Sequence, residues 1–83
     1  MSYEKVTQVK SRAIIGLKQT LKAMKNGEVD EVYVANDAAQ HITKKVVDLA
    51  NTLDIPCYHV DSMKDLGVAC GIDVGASTVA IKR

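Results

Sequence analysis

The sequence predicts an α/β protein, a three-layer α/β/α sandwich with four strands, on three observations. Short stretches with strand character alternate with stretches of helical periodicity along the 83 residues, the pattern of a sheet with helices on its faces. Glu31-Val32-Tyr33-Val34-Ala35 is apolar at nearly every position rather than at every second one, as in a strand covered on both sides. The longest helical stretch places Ala39, Ile42, Val46, Leu49, Ala50 and Leu53 in steps of three and four, opposite Gln40, Thr43, Lys44, Asp48 and Asn51. Such a helix packs one side on a sheet.

The elements follow in order. Ser2 can cap a short helix to about Ser11, and Ala13-Ile14-Ile15 reads as a brief strand ending at Gly16. A helix runs from about Leu17 to Asn26, where Asn26-Gly27 supplies the stop. The strand over Glu31 to Ala35 is expected at the centre of the sheet, and Asn36 or Asp37 is expected to cap the long helix. Ile55 to Val60 is a further strand, placed at an edge by Pro56 near its start. Ser62 with Asp65 resembles a capping box for a short helix ending at Cys70-Gly71, and Ser77 to Lys82 closes as the last strand.

Composition, 47% hydrophobic and 25% charged, fits one compact domain over residues 1–83, above the size that needs disulfides or metals. With no run of eighteen apolar residues and no basic-then-apolar start, neither a membrane span nor a signal peptide is expected, and the cytoplasm is the expected location. Cys57 and Cys70 form no CxxC pair and are expected as two reduced, buried thiols. The net charge of +1 hides an asymmetry. Residues 1–27 carry six bases against Glu4 alone, a net +5, whereas the remainder carries five bases and nine acids, a net −4. An anionic ligand would feel that difference.

Two segments have the chemistry of a binding site. Gly16-Leu17-Lys18-Gln19-Thr20-Leu21-Lys22 stands at a strand-to-helix junction, where unpaired N–H groups and the helix dipole favour a phosphate. Leu17, Leu21 and Met24 form an apolar stripe, with Lys18, Lys22 and Lys25 beside it and Gln19, Lys22 and Asn26 one step further round. Lysines neutralise phosphates and a glutamine amide can read a base edge, while an ordinary amphipathic helix with a solvated lysine face accounts for the same pattern. In Leu66 to Ala76, glycines at 67, 71 and 75 interrupt the apolar residues, so Val68, Ile72 and Val74 cannot all belong to a regular buried element. An apolar loop beside a basic helix can cover an unstacked base; the alternative is a turn whose aliphatics fold into the core.

Catalytic readings fail on context. Gly71 to Thr78 also resembles the phosphate-gripping strand-turn-strand of the actin and sugar-kinase superfamily, but that motif opens a long domain and only a handful of residues follow here. His41 lies on a polar helix face, and Cys57-x-His59 has no further ligands at metal spacing. No Ser/His/Asp or Cys/His grouping has a third member to orient it. No catalytic residue, metal or cofactor is expected. Phe and Trp are absent, which also argues against RNA readers that stack bases on aromatic rings.

Three blocks, Gly16 to Lys22, Val32-Tyr33-Val34-Ala35-Asn36-Asp37-Ala38 and Leu66-Gly67-x-Ala69-Cys70-Gly71-Ile72-x-Val74, resemble in order the signatures of the kink-turn-binding ribosomal protein family. The resemblance spans nearly the whole chain. It implies an α/β/α sandwich around a mixed four-stranded sheet and, as ligand, a kink-turn: RNA bent at a short bulge beside tandem sheared G·A pairs, either ribosomal or another structured RNA. The family block is usually Gly-x-Asn-Glu-x-x-Lys; Lys18, Gln19 and Lys22 occupy its Asn, Glu and Lys places here. Residues Ile72 to Ala76 correspond to the apolar loop that covers the bulged nucleotide. An acidic residue and a proline common in relatives after the Ala-x-Asp block are replaced by Ala39 and Gln40. The RNA-binding residues so implied are Gly16, Lys18, Gln19, Lys22, Lys25, Asn36, Ile72, Val74 and Ala76, in a chain acting as a monomer. A protein-interaction module on the same fold, without RNA, is the second reading.

Overall fold

The computed structural model describes residues 6–83. Ala13–Ile15 (β1), Leu17–Lys25 (α1), Val29–Ala35 (β2), Gln40–Leu53 (α2), Cys57–Val60 (β3), Met63–Ala69 (α3) and Thr78–Lys82 (β4) alternate as expected. Residues 6–8 are helical and Lys10–Arg12 form a 3-10 turn before β1. The first helix therefore does not run on regularly to Ser11, and its expected cap, Ser2, lies outside the described residues.

The strands lie in the order β1-β4-β2-β3, with β2 central and β3 at an edge. Strand β2 pairs parallel with β3, while β1–β4 and β4–β2 are antiparallel, so the sheet is mixed. A parallel pair needs a crossover, and α2 supplies it between β2 and β3.

Alternation along β2 explains its apolar run. Val32 and Val34 pack with Met24, Val46, Ala50 and Ala80 on one face of the sheet. Tyr33 and Ala35 pack with Val6, Leu66, Ala69, Val79 and Ile81 on the other. Helices α1 and α2 thus cover one face, and α3 with the segment around Val6 covers the second. Full burial of one Val or Leu is worth about 1.5–3 kcal/mol, so both layers are held by their own apolar clusters. Cys57 packs against the first cluster and Cys70 belongs to the second. Lying on opposite faces, both are free thiols, Cys57 half-buried and Cys70 buried.

Several boundaries differ from expectation for visible reasons. Helix α2 starts at Gln40 with Ala39 as its first flanking residue and no side-chain cap. Neither Asn36 nor Asp37 caps it, because residues 36–38 form a turn closed by Ala38 N–H donating to the Ala35 carbonyl at 3.2 Å. The Asp37 carboxylate instead accepts from the Met63 N–H at 2.8 Å, capping α3 across the sheet end. Ser62 Oγ accepts from the Asp65 N–H at 3.1 Å, the cap expected there. Strand β2 begins at Val29, two residues early, past an irregularity between Val29 and Glu31. On α1 the buried residues are Thr20, Ala23 and Met24, with Leu17 and Leu21 half-buried.

Candidate nucleic-acid interface

Four segment ends meet at one end of the sheet, tied by main-chain hydrogen bonds. Gly16 N–H donates to the Thr78 carbonyl at 3.3 Å, joining the start of α1 to the start of β4. Ala35 N–H donates to the Ser77 carbonyl at 3.0 Å and Asn36 N–H to the Val60 carbonyl at 2.7 Å. These bonds place the strand-to-helix junction, the Asn36 turn and the end of the glycine loop side by side. Val74 stands three residues before Ser77, within about 10 Å of it by chain length.

The junction needs a glycine. Gly16 has φ 106° and ψ 152°, a conformation essentially reserved for glycine. It flanks α1 with no side-chain cap, and its carbonyl accepts from Thr20 N–H at 3.0 Å. No acidic residue occupies the first turn, and Lys18 sits there instead. A cation at a helix N-terminus opposes the helix dipole, so local stability does not account for Lys18, whereas an incoming anion would. Lys18, Gln19, Lys22 and Lys25 are exposed, and none of the three lysines pairs with another described residue.

Their positions then separate. Along the helix axis Lys22 lies about 6 Å beyond Lys18, and Lys25 about 10 Å beyond Lys18. Gln19, Lys22 and Asn26 line a cleft of about 220 Å³ with Ile14, Ala23, Glu28 and Lys82. Lys25 borders a different groove, between α1 and α2, with Leu21, Lys45, Asp48, Leu49 and Thr52. Gln19 and Lys22 thus share one cleft, Lys18 stands exposed in the first turn after Gly16, and Lys25 borders the groove with α2.

The glycine loop divides as well. Val74 is 69% exposed and Val68, on α3, 66%. Ile72 is half-buried and packs against the core, and Ala76 is 2% exposed. The expectation that Ile72 and Val74 are both open thus holds for Val74 alone. The Ala76 side chain is not on the surface, because its N–H donates to the Met63 carbonyl at 3.0 Å and draws the loop under α3. Asn36 is exposed at the turn.

Sequence reasoning missed Lys82, which reaches the Gln19 cleft from the last strand with no local signal in the chain, and Asp37, whose partner is 26 residues away. Tyr33 and Tyr58 stack with centroids 5.3 Å apart, being cross-strand partners on β2 and β3. Tyr33 is buried and its hydroxyl donates to Glu31 at 3.1 Å; burial, then the Glu31 charge, push its ionisation well above the ordinary range. Burial likewise pushes the Cys57 and Cys70 thiols up, so neither has the depressed pKa of a reactive cysteine. Among the described residues no group of three His, Cys, Asp or Glu side chains could hold a metal ion.

An α/β/α sandwich with an uncapped, lysine-bearing glycine junction beside an exposed valine loop defines a class of protein, and comparison with known families agrees. The chain belongs to the ribosomal protein L7Ae/L30e/S12e/Gadd45 family, whose model matches residues 1–83. It is 55% identical to an RNA-binding protein of Halalkalibacterium halodurans and 54% identical to RNA-binding protein YbxF of Geobacillus stearothermophilus, each over all of both chains. Among solved structures, the Giardia lamblia 15.5kD RNA binding protein superposes with a TM-score of 0.92 at 23% identity, covering 98% of this chain and 70% of that one. A protein of unknown function from Bacillus halodurans superposes with a TM-score of 0.88 at 26% identity, covering 99% of this chain and 85% of that one.

Proposed function

We propose that this chain is an RNA-binding protein, not an enzyme, and that it recognises a kink-turn as a monomer, in ribosomal RNA or in a structured regulatory RNA. One observation carries the reading: an uncapped α1 start bearing Lys18, with Gln19 and Lys22 on the same exposed surface. Free N–H groups and two ammonium groups suit phosphates, and the Gln19 amide suits the guanine edge that a sheared G·A pair leaves free. Val74, exposed on the neighbouring loop, supplies an apolar lid for a bulged base. The RNA-binding names of full-length relatives at more than half identity support the same class of ligand.

The test is a titration with a kink-turn RNA and with a version whose G·A pairs are replaced by Watson–Crick pairs. Strong binding to the first and weak, salt-sensitive binding to the second is expected. Equal affinity for both would leave a non-specific RNA binder, and binding to neither would refute the kink-turn reading.

A further inference from the structure

We propose that Gly67 is the positioning residue that sets Val74 at the RNA-facing surface, by letting the loop lie directly on α3. The inference rests on the reading of Val74 as an RNA contact. After Gly71 the chain turns back and runs along α3 to Ser77. A Cβ on Gly67 would overlap the Val74 carbonyl oxygen outright, with the Val74 carbonyl carbon at 3.1 Å and the Gly75 Cα at 3.2 Å. All three are backbone atoms, so no side-chain rotation relieves the overlap. The helix dihedrals do not require glycine at this position: Gly67 lies inside α3 without a positive φ. In a helix interior glycine is less favourable than alanine, so helix propensity does not explain it and the close approach does.

One turn earlier a second contact sets the register. A Cβ on Gly75 would stand 3.1 Å from the Met63 Cβ and 3.3 Å from its carbonyl carbon, a milder conflict. Met63 also accepts from the Ala76 N–H at 3.0 Å through its carbonyl and donates its own N–H to Asp37 at 2.8 Å. Helix α3 therefore acts as a rail. Its start is pinned to the Asn36 turn, its Gly67 seats the Val74 carbonyl, and the Val74 side chain is left pointing to solvent at 69% exposure. Any side chain at 67 pushes the Val74 main chain off the helix and displaces that side chain from its place.

The experiment measures kink-turn RNA affinity, per folded molecule, for the full chain and for Gly67→Ala, Gly75→Ala and Val68→Ala, each with and without Val74→Ala. Gly67→Ala is expected to weaken binding about tenfold, Gly75→Ala less, and Val68→Ala, on the same helix but clear of the loop, hardly at all. In the Val74→Ala background the two glycine substitutions should add less than about twofold, since contacting residues are non-additive when one acts through the other. If Gly67→Ala does not fold, the milder Gly75→Ala carries the same comparison. Undiminished affinity in the glycine variants, or a loss just as large without Val74, overturns the proposal while leaving RNA binding intact. A wild-type chain that binds no kink-turn overturns both.

Discussion

Replacing Val74 with Ser separates a ligand contact from a core residue. Complete burial of a valine is worth about 1.5–3 kcal/mol, and Val74 is 69% exposed, so about a third of that, ~0.5–1 kcal/mol, stabilises the fold. The remaining ~1–2 kcal/mol is available to an RNA base that covers the side chain, which corresponds to a loss of about 5- to 30-fold in affinity on substitution. For a domain of this size 1 kcal/mol moves Tm by about 4–8 °C. Leu66, fully buried on α3, is the reference: Leu66→Ala should cost ~2–5 kcal/mol and lower Tm by more than about 10 °C. Calorimetric titration with a kink-turn RNA, paired with thermal melting of both variants, decides the matter. A Tm loss for Val74→Ser as large as that of Leu66→Ala, with affinity per folded molecule unchanged, would return Val74 to the core and refute the reasoning.

Lys18→Ala and Lys22→Ala should each lower the slope of log affinity against log salt by about one, because each removes a phosphate contact; unchanged slopes in both would place the phosphates elsewhere. Gln19→Ala should cost ~1–3 kcal/mol on RNA with intact G·A pairs and little on single-guanine analogues that keep the bend, whereas a uniform penalty would remove its base-reading role. Asp37→Ala should lower folding stability by ~0.5–2 kcal/mol in a denaturant melt, the scale of a lost helix cap, since it frees the Met63 N–H. Asn36→Ala should cost less, its bond to Val60 being made by the main chain. Unchanged stability for Asp37→Ala would show that the carboxylate cap contributes nothing.

Periodicity made the architecture legible. The two-sided run from Val32 to Ala35 and the stripe through Val46 and Ala50 end where alternation and a 3.6-residue repeat send them, into two clusters across one sheet. Pro56 correctly marked β3 as an edge strand. Contacts between segments distant in the chain were not legible. The Asn36-Asp37 pair looks like a cap for the helix that follows it, and only the folded turn sends Asp37 to Met63. The glycine loop had two readings because burial there depends on where α3 lies: the same chain leaves Val74 open and folds Ala76 under. On α1 the lysine stripe was visible as a stripe, but Lys22 and Lys25 border different grooves because α2 packs beside only one of them. Lys82 joins the Gln19 cleft through β4 pairing, which no local pattern encodes.

The most direct measurement is a map of main-chain amide chemical shifts on titrating the full chain with a kink-turn RNA. If the sheet end at Gly16 and Ser77 is the interface, the largest changes fall on residues 16–22, 36–37 and 74–78, whose main chains are hydrogen-bonded together there. Asp54, between the end of α2 and the start of β3 and so at the opposite end of the sheet, should stay still. Changes concentrated on Asp54 and the residues beside it, with residues 16–22 unmoved, would contradict the assignment of the interface.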